Sequence, residues 1–403
     1  MNTPAFASPP ARQGGLPARA GLLLCAALLA AAPACARPTT PTHDDEVVER
    51  LSPRAPALRA QRAALARGAL PLPQAVAAAR QAIERARRDG DPRELGIAQA
   101  MLAPWWAQAD APPAVRLLRA TLQQSQHRFD AALAELQALW DAPATPLDIR
   151  AQAGLTRATV LQVLGRHAQA QAACAELLQP RFAPLGAAVG LAARACVAEL
   201  RSLSADPRAA AAELQALAQA APGDAWLALL RAELAERQGD HRSAESLFRQ
   251  ASAGGGVYAL AAFADWLLDR DRPREALALL AAGPADADAL LLRRAIALHR
   301  LRAPEAAATA RLLQARFDAA RQRGENLHAR EEARLALEVQ GDAPRALVLA
   351  LAQWALQKEP ADAVLLWRAA QAAGQPAAAA ALRGWLPDPA AADVRLAGWK
   401  AAS

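Results

Sequence analysis

The sequence of 403 residues predicts an all-α fold that is assembled from repeated helix hairpins. Apolar residues make up 54% of the chain but are mostly alanine and leucine, which favour helices, and aromatic residues reach only 4%. A chain of this length is too long for one compact core unless its fold grows by repetition. A helical phrase that recurs along most of the chain indicates such repetition.

Residues 1–36 have the order of a secretory signal peptide. Arg12 and Arg19 precede the apolar run GLLLCAALLA, and the segment ends in the small residues AAPACA. Because this run is too short to span a membrane as a helix, we expect an exported protein that lies free in the periplasm. Cys35 leaves an alternative open, since its side chain could carry the lipid anchor of a membrane-bound lipoprotein.

Three further segments follow the predicted signal peptide. A flexible linker rich in proline and threonine is expected at residues 37–56, a repeat region at 57–386 and a C-terminal tail at 387–403. No later run approaches the roughly 18 apolar residues of a spanning helix, so we expect no transmembrane span after the signal peptide.

In the repeat region, a helical run, a break at glycine or a polar residue, and a second helical run recur as one unit. Two examples of the break and the second helix are GRHAQAQAACAELLQP and GDHRSAESLFRQA. The first small residue of each second helix serves as the anchor of its unit, and these anchors are Ala132, Ala170, Ala210, Ala244, Ala276, Ala308, Ala346 and Ala379. The 247 residues from the first anchor to the last make seven steps of about 35 residues. A weaker unit precedes them, with Leu95 in the anchor position.

Each second helix should bury one apolar face, because a single hairpin cannot cover its own apolar stripe. The leucines expected on this face include Leu136, Leu177, Leu214, Leu280 and Leu312. Prolines mark the starts of several second helices, where a missing backbone donor costs nothing, at Pro207, Pro273, Pro304 and Pro344.

The period, the hairpin in each unit and the alanine at the helix crossing together resemble the tetratricopeptide repeat, whose unit is about 34 residues. The segments ARFDAARQRGENLHAREEARLAL and LAQWALQKEPADAVLL also look like parts of exported bacterial proteins of this repeat class. The resemblance implies an α-solenoid of about nine hairpins that winds as a right-handed superhelix. It implies an architecture and no particular chemistry.

The search for chemical motifs favours a protein that is not an enzyme. His167 and Cys174 are seven residues apart and would share a helix face, but no third ligand is spaced to complete a metal site. We therefore expect no catalytic, cofactor-binding or metal-binding residues. Nucleic acid is not an expected partner either, because the basic residues behind the net charge of +7 are interleaved with 39 acids along the whole chain.

Two cysteines remain once the signal peptide is set aside. Cys25 leaves with the signal peptide, while Cys35 either leaves with it or is acylated. Cys174 and Cys196 could form a disulfide between neighbouring units in an oxidising compartment. Two small buried thiols are the alternative.

In tetratricopeptide proteins the first helices line the concave surface, and counting back from each anchor carries that surface onto this chain. The groove residues implied in this way are Gln152, Thr159, Gln162, Glu199, Glu233, Glu236, Asp265, Asp269, Arg293 and Arg300. Their charge changes along the groove from neutral to acidic to basic, which would suit an extended partner segment. The alternative is that these side chains only form the solvated faces of helices.

These inferences lead to an expected function. We expect a scaffold or adaptor that binds another protein of the cell envelope, or an extended peptide segment of it, through the concave groove. Two alternatives stay open: a lipoprotein subunit of an envelope assembly or secretion machine, and an envelope enzyme with its site in the groove.

Overall fold

A computed structural model describes residues 70–203, 206–322, 328–386 and 392–399, together with the single positions His43, Asp45 and Ala63. The predicted signal peptide, Cys35 and nearly all of the predicted linker lie outside the described residues. The chain divides into the units Met1–Ala60 and Gln61–Ser403, and the helices below belong to the second unit. The described residues form helices and one isolated β-bridge but no strand, which confirms the predicted all-α class.

Eighteen α-helices occur in the described part of the chain. They are α1 (Leu72–Asp89), α2 (Arg93–Met101), α3 (Ala103–Trp106), α4 (Pro113–Ser125), α5 (Phe129–Asp141), α6 (Leu147–Val163), α7 (His167–Glu176), α8 (Ala187–Ser202), α9 (Pro207–Ala220), α10 (Ala225–Arg237), α11 (His241–Ser252), α12 (Val257–Leu268), α13 (Pro273–Leu280), α14 (Asp288–Arg300), α15 (Ala306–Gln322), α16 (Ala329–Leu335), α17 (Ala343–Leu356) and α18 (Pro360–Ala372). A π-helical turn, Ala336–Gln340, follows α16, and 3-10 helices cover Pro180–Leu185, Pro376–Leu382 and Val394–Leu396.

Aspartates cap several of these helices. The side chain of Asp206 accepts a hydrogen bond from the backbone N–H of Ala209 at the start of α9, and Asp240 does the same for Ser243 in α11. Asp342 caps α17 in the same way. Each cap satisfies a donor that the first helical turn leaves without an intrahelical acceptor, so the sequence itself specifies where these second helices begin.

The turn before each second helix repeats one backbone conformation. A left-handed φ angle occurs five residues before the anchor in seven units, at Gly90, His127, Gly165, Gly239, Asp271, Gly341 and Gly374. Most of these positions are glycine because a side chain strains this conformation. The recurrence of the turn at a constant distance from the anchor is independent support for the repeat alignment.

The anchors are buried in all units but two. Leu95 is half-buried and Ala308 is exposed, whereas the other seven anchors have no accessible surface. The alignment of the Ala308 unit was wrong: Leu312 is 49% exposed, and its neighbour Leu313 is buried in its place. In this unit α15 begins at Ala306, two residues after Pro304, so the buried face falls on a different set of positions.

Helices pack on their neighbours along the sequence. Each hairpin brings two successive helices together, and the helices that open successive hairpins also touch, as in α4 with α6, α6 with α8, α12 with α14 and α16 with α18. The buried side chains accordingly form several apolar clusters that follow one another along the chain. Such a core depends mainly on contacts between neighbouring units.

Within the second unit, contacts also join helices that are far apart along the sequence. Helix α1 touches α12, and the backbone N–H of Lys358, between α17 and α18, donates to the carbonyl oxygen of Val163 at the end of α6 over 2.7 Å. Described residues of the predicted tail join this packing, since Leu396 is buried and the Trp399 Nε1–H donates to the Ala379 carbonyl over 3.1 Å. The C-terminal helices therefore cover the ends of earlier ones.

Candidate functional site

A cavity of about 330 Å³ lies between the opening helices of the hairpins and the C-terminal helices. Helices α6, α8, α10, α12 and α14 line one side, and α16, α18 and the segment around Arg395 line the other. Seven of the ten groove residues implied by the repeat alignment lie in its wall: Gln162, Glu199, Glu233, Glu236, Asp265, Asp269 and Arg293. The structure thus brings together side chains from five hairpins.

Three of the implied groove residues do not line this cavity. Gln152 and Thr159 are exposed on α6, where the Thr159 hydroxyl donates to the Leu155 carbonyl. Arg300 donates instead to the Leu268 carbonyl and to Glu338. The first two positions lie further from the C-terminal end of α6 than Gln162, and only that end faces the cavity.

Arginines form ion pairs with the two aspartates at the C-terminal end of α12, Asp265 within the helix and Asp269 just after it. Asp265 accepts hydrogen bonds from Arg293 at 2.6 and 3.0 Å and from Arg334 at 2.7 Å. Burial alone would raise the pKa of Asp265, but the two guanidinium groups lower it to about 2. Asp269 accepts two hydrogen bonds from Arg368, at 2.7 and 2.8 Å.

A third carboxylate of the cavity that pairs with an arginine is that of Glu236 on α10, which lies 3.0 Å from Arg395. Three of the four arginines come from the C-terminal part of the chain: α16 carries Arg334, α18 carries Arg368, and Arg395 follows later. The chain itself thus supplies the positive charge that an external segment was expected to bring to this part of the groove. We call Glu236, Asp265 and Asp269, with these arginines, the paired group.

The arginines of α16 and α18 are not among the groove residues that the repeat alignment implied. The implied groove positions end at Arg300, although the last two units also contain opening helices, α16 and α18. The signal was present in α16 and the π-helical turn after it, where Arg330, Arg334 and Glu338 are spaced four residues apart and therefore share a helix face.

Glu199 and Glu233 in the wall of the cavity have no cationic partner among the described residues. The Glu199 carboxylate accepts a hydrogen bond from Gln162 at 2.6 Å, and the Glu233 carboxylate accepts one from the Tyr258 hydroxyl at 3.1 Å. Burial raises the pKa of Glu199 and raises that of Glu233 to about 7, against the attraction of nearby Arg237. Glu233 is consequently a carboxyl group that exchanges its proton near neutral pH.

Two cations of the same cavity have no carboxylate partner within the described residues. Arg237 is only 7% exposed; its Nη2 donates to the Ser202 hydroxyl at 2.7 Å, and its Nε has no hydrogen-bond partner. Lys358 lines the cavity too, and its ammonium group forms no ion pair there. We call Glu199, Glu233, Arg237 and Lys358 the unpaired cluster.

The aromatic ring of Tyr258 stands beside the unpaired cluster. The side chain belongs to α12 and lines the cavity, and the residue is 62% exposed. The negative charge of Glu233, which accepts the hydrogen bond of the hydroxyl, is the main cause that raises the pKa of Tyr258 well above its usual value, and the charge of Glu359 adds to it. The hydroxyl therefore stays protonated and acts as a donor.

Cys174 and Cys196 are joined in a disulfide between α7 and α8. Their Cα atoms are 6.1 Å apart, within the range that a disulfide spans. Both cysteines lie in one apolar cluster with Leu161, Ala170 and Leu200. The bond connects the second helix of one hairpin to the first helix of the next.

His167 is the first residue of α7 and lines the cavity. Its Nε2 is buried without a hydrogen-bond partner, its ring lies 6.0 Å from that of Trp385, and burial lowers its pKa. Cys174 is engaged in the disulfide, so the two residues of the motif do not share a ligand. No group of three or more His, Cys, Asp or Glu side chains in the described residues is arranged to hold a metal ion.

No family model matches the sequence, and no curated protein matches it. Among the described residues, no helix has the length and apolar character needed to cross a membrane.

Proposed function

We propose that this chain is an exported scaffold or adaptor of the tetratricopeptide-like class, which binds a segment of another envelope protein without catalysing a reaction. In this proposal the helices form an α-solenoid of about nine hairpins in a right-handed superhelix. The repeated left-handed turn, the buried anchors and the contacts between successive opening helices support the architecture. The observation that carries the function is the convergence of Gln162, Glu199, Glu233 and four other groove residues on one cavity.

The arrangement of charges restricts where a partner can bind. The paired group is occupied by the chain's own arginines, so a partner would have to displace existing ion pairs there. The unpaired cluster needs no such displacement. A cavity of about 330 Å³ is at the lower end of the size of small-molecule sites, so we expect the bound element to be a short extended segment or a single side chain.

Site-directed photo-crosslinking in cells tests this proposal. A photoreactive phenylalanine analogue at Tyr258 should capture a discrete envelope protein, and the capture should disappear when Glu233→Lys is added. The matched control places the same analogue at Val348, which is 67% exposed on α17. Purified partner should then bind the wild-type chain and fail to bind the Glu233→Lys variant. The proposal is wrong if both positions give the same products or if Glu233→Lys changes nothing.

The alternative of an envelope enzyme draws on one observation. Glu233 has a pKa of about 7 beside the Tyr258 hydroxyl, and a carboxyl group of this kind can take up and release a proton near neutral pH. Turnover of a partner-derived substrate that Glu233→Gln abolishes would favour this alternative.

The lipoprotein alternative depends on Cys35, outside the described residues. The intact mass of the protein from the envelope separates the two exported forms, because acylation at Cys35 adds the mass of the lipid and cleavage after residue 34 or 36 adds none.

A further inference from the structure

The cavity contains two kinds of charged wall. In the paired group, every carboxylate has an arginine within 3.0 Å. In the unpaired cluster, two carboxylates and two cations face the same cavity with no ion pair to one another or to other described residues. The two kinds of carboxylate occur close together, since the unpaired Glu233 and the paired Glu236 both lie on α10.

The acidic and basic groups of the unpaired cluster form no ion pair with each other, although two of them have a suitable spacing in the sequence. Glu233 and Arg237 are four residues apart on α10, a spacing at which opposite charges commonly meet. Arg237 instead extends to the Ser202 hydroxyl on α8, and Glu233 accepts its hydrogen bond from Tyr258 on α12. Both signs of charge are thus held apart by hydrogen bonds to neighbouring helices.

Holding charged groups in this state is costly. A buried guanidinium or carboxylate loses hydration, and folded proteins normally recover that loss with a counter-ion. Arg237, at 7% exposure and with a free Nε, has little access to water. A ligand that brings a positive and a negative group into the cavity would supply both missing partners.

We propose that the unpaired cluster binds a small zwitterion that carries a primary ammonium and a carboxylate, of the size of an α-amino acid or a short peptide with free ends. Glu199 and Glu233 receive the ammonium, Arg237 and Lys358 receive the carboxylate, and the exposed ring of Tyr258 packs against the body of the ligand. A purely cationic ligand would leave Arg237 without a partner. A purely anionic ligand would leave Glu199 and Glu233 without one. The volume of about 330 Å³ falls at the lower end of the range of small-molecule sites.

Titration calorimetry with the full-length protein tests the site. The probes are L-leucine, L-lysine, L-glutamate and trialanine, each beside its N-acetyl and its C-amide derivative. At least one unblocked probe should bind saturably, and blocking either end should weaken its binding at least tenfold, because each block removes one of the two charges.

Two conservative substitutions should reproduce the effect of the blocks. Glu233→Gln keeps the volume and an acceptor for Tyr258 but removes the charge that faces the ammonium, and Lys358→Gln removes a charge that faces the carboxylate. Each should weaken binding at least tenfold with unchanged circular dichroism. Glu305→Gln, an exposed acid away from the cavity, should bind as the wild type does.

Three results would overturn the inference: no probe binds at millimolar concentration, the blocked probes bind as well as the free ones, or Glu233→Gln and Lys358→Gln bind like the wild type. The scaffold proposal has a separate readout. Loss of zwitterion binding with intact crosslinking at Tyr258 would remove this inference alone, whereas zwitterion binding without any captured partner would remove the scaffold.

Discussion

Among single residues, Glu233 shows most directly how the cavity acts on a charged group. Burial and the negative charge of Glu199 both disfavour its carboxylate, while Arg237 and the hydrogen bond from Tyr258 favour it. Burial dominates, so the pKa rises from 4.5 to about 7. The ionised form of Glu233 is therefore a cost to the folded chain above neutral pH.

The pH dependence of stability follows from that shift. Below pH 4.5 both the folded and the unfolded states hold the proton, and the cost vanishes. As the pH rises from 4.5 to 7 the unfolded state loses its proton first, so the free energy of unfolding falls by up to about 3 kcal/mol and then stays level. Glu233→Gln should therefore raise the unfolding free energy at pH 8 and leave it nearly unchanged at pH 4. Urea unfolding at the two pH values measures this, and an equal effect at both would contradict it.

Among structural elements, the hairpin turns show how local sequence sets the repeat. Gly165 and Gly341 occupy the same turn position of two units with φ angles of 72° and 67°. A side chain at Gly341 would meet open space, whereas a Cβ at Gly165 would lie 2.9 Å from Lys358 Cδ and 3.2 Å from Trp385 Cδ1. The turn after α6 is thus a hairpin turn and also a contact with the C-terminal part of the chain.

A pair of alanine substitutions separates these two roles. Gly341→Ala should cost about 1 kcal/mol of unfolding free energy, from the strain of the left-handed conformation alone. Gly165→Ala carries the same strain and should cost more, because Trp385 and Lys358 must also shift. Chemical unfolding of the two variants measures the difference, and equal losses would show that the contact with the C-terminal part has no weight.

The disulfide between α7 and α8 also acts between structural elements. It closes a loop across 22 residues, for which the loss of chain entropy in the unfolded state corresponds to about 3 kcal/mol. Reduction should lower the unfolding free energy by about this amount, and the Cys174→Ala, Cys196→Ala double variant should respond to no reductant. A wild-type protein whose unfolding midpoint ignores reductant would show that the two thiols are not bonded.

At the scale of the whole molecule, ion pairs connect the C-terminal helices to the middle of the chain. Arg334 reaches Asp265 across 69 residues of sequence, and Arg368 reaches Asp269 across 99. The side chain of Arg334 is 12% exposed and also bonds Glu338, whereas that of Arg368 is 41% exposed. The first pair is therefore part of the interior, and water and salt screen the second.

Matched substitutions should reveal that difference. Arg334→Met leaves Asp265 and Glu338 short of a buried partner and should cost about 3–5 kcal/mol of unfolding free energy. Arg368→Met should cost about 1 kcal/mol or less, because solvent replaces the lost partner. Thermal unfolding at low salt compares the two, and equal losses would mean that burial does not govern these contacts.

The degree to which the sequence predicted the site depends on which helices the repeat alignment reached. It placed Glu199, Glu233 and Asp265 on a shared inner surface because their positions follow from counting within a unit. It assigned Asp265 to a free acidic band, although the arginines of α14 and α16 already bind it. It also misaligned the Ala308 unit, where α15 begins later than the pattern indicated.

By itself the sequence determined the helical class, the hairpin turns and most buried anchors, because alanine content, capping aspartates and left-handed glycines act within a few residues. Only the tertiary structure decided that the C-terminal helices return to the inner surface, that Asp265 and Asp269 are paired, and that Glu233 and Arg237 are not. These outcomes depend on the angle at which each hairpin packs on the next. Small packing differences accumulate over many units, and no local pattern in the sequence encodes their sum.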